Sequence, residues 1–239
     1  MYFFKIILFL TYFSFSYSQR VVGYYPQWVQ SEFPVSNIDL SVVTHVNHAF
    51  AWPDENGNIE SYNNMFNISN ADIIHNGGRK FLLSLGGWGN DVGFATVASS
   101  LDLRTIFIDN LIQICDTYGY DGIDIDWEYP FSESDRENLN SLISEMDAAF
   151  NSHNPNLLIT MAIPISNWAG QWYDFNFLKS YIDFFNAMTY DIHGGWSAHA
   201  GHNSPLYPSP TDDPDGSCNT GINYLHYTRG IPTSQINLG

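Results

Sequence analysis

Basic residues are scarce in this sequence. The 239-residue chain has 8 lysines and arginines against 25 aspartates and glutamates, a formal net charge of −17. Binding a polyanion requires neutralising its phosphates, so this balance argues against nucleic acid as a partner. It is compatible with a neutral or cationic ligand, and most of the acids read as solubilising surface. Cysteine is nearly missing: Cys115 and Cys218 could form one disulfide in an oxidising compartment, which sequence alone does not show. Cys115 lies in an apolar helical stretch and reads equally well as a buried thiol. No apolar run reaches the roughly 20 residues of a membrane span. The run Ile6 to Leu10 follows Lys5 and is soon interrupted by Ser14, Ser16 and Ser18. That pattern predicts a signal peptide over residues 1–18, cut before Gln19, and hence a secreted, extracellular chain without a membrane anchor. Asn67-Ile68-Ser69 is the single N-glycosylation sequon.

What is abundant is apolar and aromatic. Hydrophobic residues make up 44% of the chain and aromatics 16%, including 7 Trp and 15 Tyr. A sizeable core is therefore possible, and the composition argues against global disorder. Exposed indole and phenol rings also suit the flat apolar faces of sugars.

Strand-like and helix-like segments alternate along the chain. Strands are expected at Arg20 to Tyr25, Ser41 to Phe50, Arg79 to Leu85, Leu157 to Ile163 and Ile182 to Met188, with another opening at Gln235 to Gly239. Helices are expected at Asp102 to Tyr118, with Leu103, Ile106, Phe107, Leu111, Ile114 and Cys115 at helical spacing, and at Ser134 to Phe150. A third runs near Gly221 to Thr228. The second carries the apolar stripe Leu139, Leu142, Ile143, Met146 and Phe150, with Asp135 and Glu137 at its positive N-terminal end. This alternation implies parallel βαβ units. Polar residues gather where strands end (Ser84, Glu128, Tyr190, Asp191), which is the functional face of a (β/α)8 barrel. A doubly wound open sheet is the alternative, but no glycine-rich phosphate loop follows a strand.

Between the first two helices stands Asp121-Gly122-Ile123-Asp124-Ile125-Asp126-Trp127-Glu128. In a strand Asp124, Asp126 and Glu128 share one face, with neighbours roughly 6.5–7 Å apart. Ile123, Ile125 and Trp127 face a helix layer on the other side. An EF-hand loop would need Gly at its sixth position and an acid at its twelfth. A transition-metal site would need His or Cys among the acids. A structural ion-pair strand would need nearby bases. Carboxylates crowded in this way shift one another's pKa values, and acid–base or glycosidic chemistry is the best account of them. Neither a metal nor a cofactor is expected.

The same residues resemble the D-G-x-D-x-D-W-E motif of glycoside hydrolase family 18, the chitinases. Ser84-Leu85-Gly86-Gly87-Trp88 is similar to the family's S-x-G-G segment and Met188-Thr189-Tyr190-Asp191 to its M-x-Y-D segment. Val22 to Trp28, Ala49-Phe50-Ala51 and Gly201 to Tyr207 resemble its first strand, second-strand end and a loop of animal-type members. The resemblance runs from Arg20 to Gly239 and implies a family 18 catalytic barrel over residues 19–239. That barrel would be an incomplete (β/α)8 TIM barrel, with about six strands and the start of a seventh. The rest of the seventh strand, a small inserted domain and the eighth strand with its tryptophan are not in the matched span. A fragment or truncated product, poorly stable and weakly active alone, is the corresponding expectation.

The resemblance further implies a substrate-assisted retaining endochitinase acting on β-1,4-linked N-acetylglucosamine. Glu128 would be the general acid. Asp126 would stabilise the oxazolinium ion formed by the substrate's own acetamido group. Asp124 would share a proton with Asp126, and Tyr190 would hold the acetamido oxygen. Tyr24, Phe50, Trp88, Met188, Asp191 and Trp196 would bind substrate, with Tyr24, Trp28 and Trp88 stacking on sugar. Asp121, off the column by parity, would cap or brace. His45, His48 and His193 read as structural, while Trp52, Trp168 and Trp172 have no assigned role. Chitin or chito-oligosaccharides would be the partner of a monomeric chain. The alternatives are an endo-β-N-acetylglucosaminidase, a chitinase-like lectin that binds without cutting, and an inactive truncated chain.

Overall fold

The alternating apolar runs become parallel strands, and the helices between them become an outer layer. A computed structural model describes residues 19–209 and 216–239; the expected signal segment, residues 1–18, lies outside them. The strands are β1 Val22–Pro26, β2 His45–Pro53, β3 Ile59–Ser61, β4 Lys80–Gly86, β5 Gly122–Asp126, β6 Leu158–Ile163, β7 Phe184–Ala187 and β8 Ile236–Leu238. The helices are α1 Ile68–Asn76, α2 Phe94–Ser99, α3 Leu101–Tyr118, α4 Glu133–His153, α5 Asn167–Gly170, α6 Phe175–Leu178 and α7 Cys218–Asn223, which continues as a π-helical turn over Tyr224–Thr228.

Strand order is β1-β2-β4-β5-β6-β7-β8, with β3 folded back antiparallel on β2. All other pairings are parallel. The six expected strands and the opening of a seventh are all present, and the sheet is the curled wall of an incomplete (β/α)8 barrel. Its curl is visible in the hydrogen bonds: Asp124 on β5 is reached across the interior by Tyr24 of β1 and Asn186 of β7, neither of which is its neighbour in the sheet.

Each β5 side chain goes where parity sends it. Ile123, Ile125 and Trp127 are buried on the helix side, and Trp127 stacks on Phe94 of α2 with ring centroids 5.5 Å apart. α4 starts at Ser132, whose hydroxyl accepts from the Asp135 N–H at 3.0 Å, and its five stripe residues are all buried. Such a cap typically contributes about 1 kcal/mol.

The α3 stripe needs one correction. Ile106 is exposed, and the core side carries Arg104 and Ile108 instead. Arg104 is tolerated there because each guanidinium nitrogen has a partner: two 2.7 Å bonds to the Glu145 carboxylate and a third to the Ala98 carbonyl join α2, α3 and α4. Cys115 and Cys218 are both free and buried, and burial pushes the Cys115 thiol up to about 12. Asn67 of the sequon is the exposed N-cap of α1, accepting from the Ser69 N–H at 3.0 Å. His48, stacked between Tyr25 and Phe81 and bonded to the Tyr120 hydroxyl at 2.8 Å, is kept neutral by burial with a pKa of about 4. Among the described residues no helix is long and apolar enough to cross a membrane.

Candidate active site

The acids are assembled by five strands and the loops that leave them. Asp124, at the centre of β5, has no exposed surface. Its Oδ2 accepts from the Tyr24 and Ser84 hydroxyls, each at 2.8 Å, and its Oδ1 from Thr160 Oγ1 at 2.6 Å and Asn186 Nδ2 at 3.0 Å. A carboxylate has about four acceptor positions, and all are filled. Burial raises its pKa, while the four hydrogen bonds favour the anion and oppose that rise.

Asp126 is built in the opposite way. It is 4% exposed, and its Oδ1 has no hydrogen-bond partner. Burial, then the charges of Glu128 and Asp124, push its pKa well above the usual carboxylate range. Other donors occupy both oxygens of Asp124, whereas Asp126 Oδ1 has none.

β5 ends at Asp126, so Glu128 sits two residues beyond the strand rather than on it. It is half-buried. Burial raises its pKa, as do Asp191 and Asp91, while hydrogen bonds from the Tyr129 side chain and the Trp88 backbone lower it. The Ala49–Phe50 and Glu128–Tyr129 peptides are both cis.

The Gly86-Gly87 pair explains how β4 approaches this column. Both residues have positive φ, 109° and 79°. A Cβ on Gly86 would lie 2.2 Å from the Asp126 carbonyl, and one on Gly87 would strike the Phe50 ring at 2.8 Å. Only a chain without side chains there lets the Gly87 N–H reach the Asp126 carbonyl at 2.9 Å and present Trp88 at the rim.

Tyr190 follows β7, and its phenol is pushed up by burial and then by Asp126, Glu128, Asp124 and Asp191. It therefore shares one electrostatic environment with all four acids. Asp191 has a left-handed backbone (φ 54°) and accepts from Asn203 Nδ2 at 2.8 Å. Phe50 lies between Tyr24 and Trp28, with centroid distances of 6.3 and 6.4 Å. Trp28 and Trp88 are exposed, at 58% and 76%. Met188 is half-buried at the end of β7. Trp196 is exposed on the following loop, its ring folded over Gly194.

Tyr24 directs its hydroxyl into the interior as a donor to Asp124, with its ring half-buried beside Phe50, so it belongs to the carboxylate network. Asp121 braces the strand from outside: it accepts from Lys80 Nζ, His75 Nε2 and the Phe81 N–H, each at 2.8 Å. Burial opposes its ionisation, but these three donors together lower its pKa.

The sequence reading missed Thr160 and Asn186. Each is one polar residue in an apolar strand, and only that interruption marked it. A crevice of about 600 Å³ between the segment after β1 and the start of α1 shares Trp28 with this wall but lies off the acid column. Among the described residues no cluster of three or more His, Cys, Asp or Glu is arranged to hold a metal ion.

Known proteins resemble this chain. The family profile "Glycosyl hydrolases family 18" matches residues 20–239. A probable endochitinase of Caenorhabditis elegans is 31% identical over 90% of this chain and 39% of its own length. A class V chitinase of Arabidopsis thaliana is 32% identical over 94% of this chain and 62% of its own. The chain thus spans less than two thirds of either relative. A solved class V chitinase from Nicotiana tobaccum, a mutant in complex with NAG4, superposes with a TM-score of 0.79 at 28% identity, covering 90% of this chain and 64% of that one.

Proposed function

The chain belongs to glycosyl hydrolases family 18, and from that premise we propose that it is a secreted endochitinase hydrolysing β-1,4 links between N-acetylglucosamine residues by substrate assistance with retention. The observation that carries this reading is the unlike treatment of two neighbouring acids: Asp124 saturated with four donors, Asp126 buried with a bare oxygen. Environments that drive paired titratable groups apart mark the division of acid–base work.

Glu128 is the general acid. Burial raises its pKa and so favours the protonated carboxyl, which is placed to protonate the glycosidic oxygen. As that bond breaks, the carbonyl oxygen of the substrate's 2-acetamido group attacks the anomeric carbon and forms an oxazolinium ion. Asp126 accepts a hydrogen bond from the acetamido N–H and gains negative character as the cation forms. Its proton is then shared in a hydrogen bond with the Glu128 carboxylate, which has given up its own. Asp124 lies beneath, its oxygens held by four donors, and its negative character favours positive charge above it. Tyr190 donates to the acetamido oxygen and aligns it for attack. Glu128, now a carboxylate, takes a proton from the water that opens the oxazolinium, and the product keeps its β configuration. Trp88, Phe50, Met188, Asp191 and Trp196 contact sugar. The acidic chain suits a neutral polymer, and the N-terminal pattern supports export.

Proton NMR of a fresh chitotetraose digest tests this. The β anomer is expected first. Early α anomer would refute retention, and binding without cleavage would favour a sugar-binding lectin.

A further inference from the structure

Strand β5 stops at Asp126, whose carbonyl accepts from the Gly87 N–H at 2.9 Å on the β4 side. On the β6 side the register ends one residue earlier, with Ile125 opposite Met161. The ladder therefore does not reach the peptide between Trp127 and Glu128. A buried carbonyl needs a partner, and the partner that Trp127 finds is a side chain. The Tyr173 hydroxyl donates to the Trp127 carbonyl at 2.9 Å.

Tyr173 lies between α5 and α6 and is 1% exposed. It is held at both ends. Its ring stacks on Phe175 with centroids 5.4 Å apart, and Phe175 meets Phe185 of β7 edge-on at 6.0 Å. Its own carbonyl accepts from Arg229 Nη2 at 2.5 Å. Arg229 follows the π-helical turn after α7. Its Nη1 donates to the Gly170 carbonyl at 2.5 Å and to the Tyr224 hydroxyl at 2.7 Å, and the guanidinium stands 4.9 Å from the centre of the Phe175 ring. Only a planar fork of several donors serves all these acceptors at once.

One line of contacts thus runs from Arg229 through Tyr173 to the residue before Glu128. Burial, then Tyr129, Asp126 and Glu128, push the Tyr173 phenol up, which keeps its hydroxyl a donor near neutral pH. Any core tyrosine needs an acceptor for its hydroxyl. What sets Tyr173 apart is the acceptor it has: the first carbonyl beyond the ladder, one peptide from the acid. A proton donor must stand within hydrogen-bond reach of the glycosidic oxygen, and a displacement of about 1 Å can cost about 10²-fold in rate.

We propose that Tyr173 is a positioning residue for Glu128. Its hydroxyl fixes the Trp127 peptide, and with it the direction in which Glu128 leaves the strand, while Arg229 clamps Tyr173 from the far side. Tyr173 is too deeply buried to touch substrate and acts through the backbone. The inference rests on the reading of Glu128 as the general acid. It extends the apparatus that orients this acid to the loop after β6 and the turn after α7.

The test uses Tyr173→Phe, which keeps the ring and removes the hydroxyl, and Arg229→Lys, which keeps the charge and removes the fork. Both are assayed on chitotetraose across a pH series beside Glu128→Gln, with rates normalised to folded protein by circular dichroism. Tyr173→Phe is expected to lower kcat about tenfold and to leave KM within about twofold. Once loosened, Glu128 also loses the hydrogen bonds from the Tyr129 side chain and the Trp88 backbone that hold its pKa down. The alkaline limb of the kcat profile therefore moves to higher pH. Arg229→Lys shows the same two changes at reduced size, and it decides the matter by the same readings should Tyr173→Phe not fold. Lower thermal stability with wild-type kcat and an unmoved profile in both variants would overturn the positioning role, because Tyr173 would then be core alone. A rise in KM at unchanged kcat would also overturn it. Either result, with activity lost in Glu128→Gln, leaves the Glu128 reading intact. Near wild-type activity in Glu128→Gln would remove the premise itself.

Discussion

Replacing Thr160 by valine removes one hydroxyl from a fully buried position and leaves the shape of the side chain. That hydroxyl donates to Asp124 Oδ1 at 2.6 Å, and without it the oxygen retains only Asn186 Nδ2 at 3.0 Å. A hydrogen bond to a charged group is worth about 1.5–3 kcal/mol. The added methyl returns roughly 0.8 kcal/mol of burial, so a net loss of about 1–2 kcal/mol is expected. For a domain of this size that lowers Tm by roughly 2–8 °C. The loss should depend on pH. Burial already raises the Asp124 pKa, and the Thr160 bond opposes the rise, so the variant's pKa lies higher still. A carboxyl raised above its unfolded value costs stability as pH climbs from the unfolded value through the folded one. The valine penalty is therefore small below the ordinary carboxylate range and full at alkaline pH. Urea unfolding of both proteins from pH 4 to pH 8 reads this directly. A penalty that is equal at every pH would refute the charge argument, because it would report packing alone.

Asp126→Asn replaces a buried, unpartnered carboxyl with a neutral amide. The pKa of Asp126 is raised by burial and by Glu128 and Asp124, so the wild type loses stability as pH rises. The asparagine variant should be the more stable protein at pH 8, with the gain shrinking on acidification, and chitotetraose hydrolysis should fall by about 10²-fold or more. Asp121→Asn should do the reverse. Its pKa is lowered because Lys80, the Phe81 N–H and His75 outweigh burial, so the variant should lose about 1–2 kcal/mol near pH 7 and nothing once acid has protonated the wild-type carboxyl. Tyr129→Phe removes a bond that holds the Glu128 pKa down, so the alkaline limb of the kcat profile should move to higher pH.

The column was legible because strand parity is a local property: alternation alone placed Asp124 and Asp126 inward and Ile123, Ile125 and Trp127 outward. Parity also sent Tyr24 inward but did not reveal whether its ring or its hydroxyl would be used, which depends on the distance across the interior to Asp124. Thr160 and Asn186 became recognisable only when curl brought β6 and β7 around the same carboxylate. Arg104 took a core-facing place on α3 because Glu145, 41 residues later, pairs with its guanidinium, a contact that helical spacing does not encode. β3 escaped notice because its three residues pair with Ala51 to Pro53, an extension of β2 beyond the expected strand end at Phe50. The short helices α5 and α6 carry too few residues to show a period.

Glu128→Gln tests the central claim most directly. The amide keeps the size of the side chain and removes the dissociable proton. Hydrolysis of chitotetraose should fall by about 10²–10⁴-fold, the usual contribution of a general acid, while calorimetric binding of the same sugar stays near the wild-type affinity. A glutamine variant that cleaves chitotetraose within a few-fold of wild type would contradict the assignment of Glu128, and with it the role of the acid column.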